Sequence, residues 1–203
     1  MTIENIIFDL GRVIVDIDSD ITIREFKKIC KAPIEKLFHN NIVYNFDIGN
    51  ISEDEFIAQF KQLLEISEDH SVRYAWDAMI KGVPSETILL LQKLKKQFPI
   101  YALSNTNSLH IKAINTILAR DYSVPDLKHL FHKVYYSYEV GLSKPDKRIF
   151  EYVMSDSQLI PNNTLFIDDN EDNIRVAERL QFQTLHLLEQ HQLISELQLR
   201  GIV

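Results

Sequence analysis

The chain has 203 residues, of which 45% are hydrophobic and 25% charged, with a formal net charge of −7. That apolar share can fill a core and argues against disorder, while the acid excess argues against a nucleic-acid or anionic-membrane binder, which needs surplus cations to displace phosphate counterions. The single cysteine, Cys30, excludes an internal disulfide framework, and with no leader-like start and no bilayer-length apolar run a soluble cytoplasmic protein is expected.

In chain order, the first strand is expected over residues 4–9, where Asn5-Ile6-Ile7-Phe8 runs into Asp9, Leu10, Gly11 and Arg12. Asp9 then stands at a strand tip, the edge at which open α/β sheets bind ligands. Residues 16–82 read as helical throughout, too long for a simple crossover. Within them Ser52-Glu53-Asp54-Glu55 carries a capping-box signal, and Phe56, Phe60, Leu63 and Leu64 form an apolar stripe. A helix is expected over 85–97, with Ile88, Leu91 and Leu94 on its inner face, then a strand over 99–104 that delivers Ser104, Asn105, Thr106 and Asn107.

The next helix, over 107–118, starts directly after Ser104, so its free backbone N–H groups would face a bound phosphate. A strand over 132–137 leads to Gly141-Leu142-Ser143-Lys144-Pro145, a cation in a loop punctuated by Gly and Pro, and a helix over 148–154. The strand over 164–168 runs into Asp168-Asp169-Asn170, followed by a helix over 172–180 and a last strand over 183–188. Strands alternating with helices in this way predict a parallel sheet covered on both faces.

Taken singly, these polar residues have ordinary structural readings. Asp9 serves as a turn residue, Ser104 as a helix N-cap, Lys144 as a solvated cation, and the acidic pair as the cap of the following helix. In order, they form a set for phosphoryl transfer: a carboxylate nucleophile, a hydroxyl, a lysine and an acidic pair. With these four motifs the chain resembles the haloacid dehalogenase-like hydrolase superfamily over nearly its whole length. The first motif, Asp9-Leu10-Gly11-Arg12, departs from the usual phosphatase pattern Asp-x-Asp-Gly. It looks like the branch written Asp-Leu-Gly-x-Val-Ile-Val-Asp, which includes bacterial sugar-phosphate phosphatases acting on α-D-glucose 1-phosphate.

The resemblance implies an α/β fold with a Rossmann-like parallel-sheet core, residues 1–15 and 83–203, and an inserted all-helical cap, residues 16–82, that closes over the site and selects substrate. Asp9 would attack phosphorus and form an aspartyl-phosphate, while Lys144 neutralises both partners. Ser104, the Asn105 backbone N–H and Lys144 would hold the phosphate. Asp9, Asp169 and the Gly11 carbonyl would hold Mg²⁺, a hard cation suited to few carboxylates and several waters. Asp168 and Asn173 would support this set, by fixing Lys144 or a metal-bound water.

The resemblance also places Gly11 where family phosphatases carry a second aspartate, the acid that protonates the leaving oxygen. Asp16, a cap residue or the substrate itself would have to replace it, or turnover would favour weakly basic leaving groups such as anomeric and aryl alcohols. Arg12, in place of a glycine, reads equally as a phosphate contact or as a surface residue. In the insertion, His39, Tyr44, Phe46, Trp76 and Met79 are candidates to line a sugar-sized pocket or to form the cap's own core. His129, His132, His186 and His191 lack the spacing of a zinc site.

The expected activity is therefore Mg²⁺-dependent hydrolysis of a small phosphorylated metabolite, a sugar phosphate for preference, by a monomer or homodimer. Two alternatives use the same fold. A metal-independent 2-haloacid dehalogenase also lacks the second aspartate, although an acidic pair is redundant for halide displacement. A phosphate-binding regulatory protein would have lost turnover through Gly11, although binding alone needs no nucleophile.

Overall fold

In the computed structural model, which describes residues 2–203 except the side chains of Phe38 and His39, the apolar run ahead of Asp9 forms β1 (Asn5–Phe8). It is followed by β2 (Asp16–Ile17), α1 (Ser19–Ile29), α2 (Ile42–Asp47), α3 (Glu53–Leu64), α4 (Asp69–Asp77) and β3 (Ile80–Gly82). The chain then alternates: α5 (Ser85–Leu94), β4 (Ile100–Ser104), α6 (Ser108–Tyr122), β5 (Lys133–Tyr136), α7 (Ser137–Val140), α8 (Lys147–Ser157), β6 (Thr164–Asp168), α9 (Glu171–Arg179), β7 (Gln183–His186) and α10 (Leu193–Leu199).

Five strands form one parallel sheet in the order β5-β4-β1-β6-β7. β1 lies at its centre, with Ile7 opposite Tyr101 of β4 on one side and Phe166 of β6 on the other. The chain leaves β1 for one half of the sheet and returns to the other half through β6, so the ligand crevice of such a fold opens beyond β1. Both faces are buried, as a run with no polar alternation requires. Ile6 and Phe8 pack with Leu91 and Leu94 of α5 and Ile114 of α6. Ile7, one residue out of phase, packs on the opposite face with Phe150 of α8 and Ile174 of α9.

The stretch read as helical from residue 16 to 82 begins and ends on strand instead. β2 and β3 pair antiparallel, Asp16 opposite Gly82 and Ile17 opposite Ile80, and so bring both ends of the inserted segment together beside β1. Strands of two and three residues are too short to show a period of their own, which is why periodicity passes over them.

Between β2 and β3 the four helices build a separate aromatic core from Phe26, Phe46, Phe56, Phe60 and Trp76. Phe56 is its hub, with ring centroids 4.2 Å from Phe46, 4.4 Å from Phe60 and 4.8 Å from Trp76, distances at which offset and tilted ring pairs attract. The expected capping box is present: Ser52 Oγ accepts from Glu55 N–H, and the Glu55 carboxylate accepts from Ser52 N–H. Leu109 of α6 belongs to this second core, so the inserted helices share packing with the sheet half of the molecule.

Candidate active site

Because all five strands are parallel, their carboxyl ends share one edge. That edge brings together Asp9, just past β1, Ser104 at the end of β4 and Asp168 at the end of β6. Asp9 is held there by its own N–H, which donates to the Ile167 carbonyl at 2.8 Å. Lys144 arrives from the loop between α7 and α8, and its backbone is clamped by one side chain. The Asn105 amide donates to the Lys144 carbonyl at 2.7 Å and accepts from the Lys144 N–H at 2.8 Å.

Lys144 Nζ, buried, then donates to Asp9 Oδ1 at 2.6 Å and to Asp168 Oδ2 at 2.7 Å. Asp168 is fully enclosed and fully used: Asn173 Nδ2 reaches both of its oxygens at 3.0 Å, and Asn170 N–H donates to Oδ1 at 2.8 Å. Asp168 is thus an anchor for the lysine, and Asn173 acts on Lys144 through Asp168 rather than by direct contact.

Burial pushes the Asp9 carboxyl up to about 7, Lys144 opposes this, and the charges of Asp168 and Asp169 add to it. Burial works against the Lys144 ammonium, yet Asp9 and Asp168 together hold it above its ordinary value. Asp169 is also raised, by burial and then by Asp168, with Arg12 offsetting part of it from 4.0 Å. Three carboxylates thus face one buried ammonium.

The loop after Asp9 closes on itself. Leu10 carbonyl accepts from the Ile14 and Val15 N–H groups, and Arg12 N–H donates to the Val15 carbonyl, a pattern that leaves the Gly11 carbonyl out of the turn. Asp9, Asp169 and that carbonyl are hard oxygen donors beside an excess of negative charge, a set that fits a small divalent cation. Among the described residues no three His, Cys, Asp or Glu side chains form a ready-made metal cage. Mg²⁺, which keeps its waters, does not require one.

Arg12 sits at φ 58, the left-handed region where glycine is favoured. This accounts for the glycine that the family pattern carries there. Gly11 itself is not in that region. A Cβ added to it would lie 3.0 Å from Ile17 Cδ1 and 3.9 Å from Asp9 Oδ2. The Ile17 side chain from β2 thus crowds the place where a second aspartate would stand.

A cavity of about 240 Å³ opens from Gly11, Ser104 and Asn105 toward the inserted helices, between walls that include Ile17, Val43, Trp76 and Met79. Of the candidates in the insertion, Trp76 and Met79 line the cavity, whereas Phe46 is buried in the second core and Tyr44 is exposed. His39 falls outside the described side chains. His129 pairs with Asp126 at 2.8 Å, and His132 Nδ1 accepts from Ile100 N–H at 3.1 Å, both away from the site.

Thr106 and Asn107 from the end of the β4 run also line the cavity, together with two ionisable residues that the sequence reading does not name, Asp47 and His110. Asn107 Oδ1 caps α6 by accepting from His110 N–H at 3.1 Å and accepts Trp76 Nε1–H at 3.3 Å. Its Nδ2 donates to Asp47 Oδ1 at 2.9 Å. Burial pushes Asp47 up to about 6 and His110 down to about 4. Asp47 follows Asn45 and Phe46 at the end of a six-residue helix, a pattern with no signal that sets it apart from a helix-terminal acid.

A family model described as haloacid dehalogenase-like hydrolase matches residues 3–181. A D-ribitol-5-phosphate phosphatase of Bacteroides thetaiotaomicron is 33% identical over 190 residues, 90% of each chain. The crystal structure of a HAD family enzyme of the same organism, a magnesium complex, superposes with a TM-score of 0.85 at 32% identity over 92% of this chain and 94% of that one. A HAD-like hydrolase structure from Porphyromonas gingivalis gives 0.87 at 29% identity over 98% of both chains.

Proposed function

The chain belongs to the haloacid dehalogenase-like hydrolases, and from that membership we propose that it is a Mg²⁺-dependent phosphomonoester hydrolase for a small sugar or polyol phosphate, working through an aspartyl-phosphate on Asp9. The observation that carries the reading is Lys144 Nζ bridging Asp9 and Asp168 at the sheet edge that also ends in Ser104, with a cavity of about 240 Å³ opening from the neighbouring Gly11, Ser104 and Asn105. The sugar-phosphate class is supported by the D-ribitol-5-phosphate phosphatase at 33% identity.

An Asp9 carboxylate oxygen attacks phosphorus, forming a P–O bond as the bond to the substrate oxygen breaks, and the departing alkoxide takes a proton from solvent; water then attacks phosphorus, the Asp9 O–P bond breaks, and inorganic phosphate and the free carboxylate result. Lys144 holds Asp9 in position and offsets the charge of the phosphoryl group as it transfers. Ser104 donates its hydroxyl and Asn105 its backbone N–H to phosphate oxygens. Asp9, Asp169 and the Gly11 carbonyl would hold Mg²⁺, which would supply charge neutralisation for the phosphoryl group. Residues 16–82 form a cap over the core of 1–15 and 83–203, and the paired ends β2 and β3 are its connection.

The test is phosphate release from a panel of phosphorylated metabolites with and without Mg²⁺, with 2-haloacids as controls. Phosphate release that chelation abolishes and Mg²⁺ restores is expected, and Asp9→Asn should lower it by about 10³-fold or more while leaving the fold intact. Metal-independent halide release from 2-haloacids would make the chain a dehalogenase instead. Phosphate binding without turnover would make it a binding protein.

A further inference from the structure

The cavity reaches from the phosphate end of the site at Ser104 and Asn105 to Asp47, the last residue of α2. The alcohol portion of any phosphate ester seated at Ser104 must occupy that space. Its walls are mostly apolar side chains, and among the described lining residues the ionisable side chains are Asp47 and His110, with no lysine or arginine.

His110 has no capacity left for a ligand. Its Nε2 lies 3.2 Å from the Trp76 carbonyl, which can only accept, so the proton is on Nε2. Nδ1 then takes the Asn107 amide, at 3.4 Å, and the ring stacks on Trp76 with centroids 5.0 Å apart. Burial keeps the imidazole neutral. Asn107 is equally committed, to Trp76, His110 and Asp47.

Asp47 differs. Oδ1 takes the Asn107 amide, while Oδ2 accepts no hydrogen bond from the described residues. Its backbone is fixed, because its carbonyl lies 2.5 Å from Ser137 Oγ and the next turn packs so closely on α7 that a Cβ at Gly49 would meet the Tyr138 carbonyl at 2.2 Å. Asp47 is the one carboxylate among the described lining residues, and held this way it presents one acceptor oxygen and one negative charge to the alcohol portion of the substrate.

We infer that Asp47 is the specificity-determining residue of this site: its free oxygen takes a hydroxyl of a neutral, polyhydroxylated alcohol, and its charge turns away phosphate esters whose other end carries a second anion. This rests on the phosphatase reading above. A hydroxyl satisfies the carboxylate, whereas a substrate carboxylate or second phosphate would face it across a low-dielectric cavity with no cation to compensate.

The test compares three esters on wild type and Asp47→Asn: the sugar or polyol phosphate that wild type turns over best, p-nitrophenyl phosphate and phosphoglycolate. The amide of the variant still accepts from Asn107, so the joint to α6 is kept. A hydrogen bond to a charged group is worth about 1.5–3 kcal/mol, so the kcat/KM ratio of polyol to aryl ester should fall about 10- to 100-fold, mainly through KM. Phosphoglycolate turnover, poor in wild type, should rise about tenfold on loss of the repelling charge. Val43→Lys, which places a cation on the same wall, should raise it independently. Equal losses on polyol and aryl esters, or wild-type turnover of phosphoglycolate as fast as of polyol phosphates, would overturn the inference and leave the phosphatase reading standing. No phosphate release by wild type from any ester would overturn the phosphatase reading itself.

Discussion

Asn107 Nδ2 donates to Asp47 Oδ1 across 2.9 Å, so the residue that caps α6 also holds the end of α2. The same side chain accepts the Trp76 indole N–H. One amide thus joins two inserted helices to the helix that follows the Ser104 strand.

Asn107→Ala should therefore cost more than a helix cap alone. Losing the cap costs about 1 kcal/mol, and leaving Asp47 and the Trp76 N–H without their partner adds about 1–3 kcal/mol. Urea unfolding should show a combined loss of about 2–4 kcal/mol. A loss below about 0.5 kcal/mol would mean that water replaces this joint at no cost.

Burial raises Asp47 from the usual carboxylate value to about 6, so the native protein keeps a proton that the unfolded chain has released. The stability this contributes is present below the unfolded value of 3.8 and is lost as pH rises through about 6. Compared with Asp47→Asn, which does not titrate, wild type should lose about 1–3 kcal/mol of relative stability between pH 4 and pH 7. Denaturant melts of both proteins across that range measure it, and a pH-independent difference would contradict the assignment.

The acidic pair should divide its work. Asp169→Asn removes a proposed metal ligand and should weaken Mg²⁺ binding by about 10-fold or more in calorimetric titration. Asp168→Asn loosens Lys144, to which Asp168 is bonded at 2.7 Å. It should cut kcat by about 10²-fold while changing Mg²⁺ affinity much less. The opposite pattern would exchange the two roles.

Gly11 can accept a side chain, because its backbone is outside the left-handed region and its nearest neighbour, Ile17 Cδ1 at 3.0 Å, is the end of a flexible chain. Gly11→Asp should supply a proton donor beside Asp9. General acid catalysis is typically worth about 10²–10⁴-fold, so single-turnover cleavage of alkyl phosphates should accelerate by about tenfold or more and that of aryl phosphates by less. An equal effect on both classes would show that another group already protonates the leaving oxygen.

Local rules were enough to read much of this protein in sequence. Apolar runs of strand length with polar tips locate β1, β4 and β6 within a residue or two. Ser52 and Glu55 announce α3, and the succession Asp9, Ser104, Lys144, Asp168-Asp169 marks the sheet edge at which the proposed site lies, because strand length, capping and turn chemistry act between near neighbours in the chain. The short strands β2 and β3, the assignment of Asp168 rather than Asp169 to Lys144, the close approach of Ile17 to Gly11, and the free oxygen of Asp47 all depend on how the chain returns on itself. Lys144 meets Asp9 across 135 positions and Asn107 meets Asp47 across 60. Contacts at such separations leave no period or spacing to read; packing of the sheet and the inserted helices decides which carboxylate is fully bonded, as Asp168 is, and which keeps an oxygen free on the cavity, as Asp47 does.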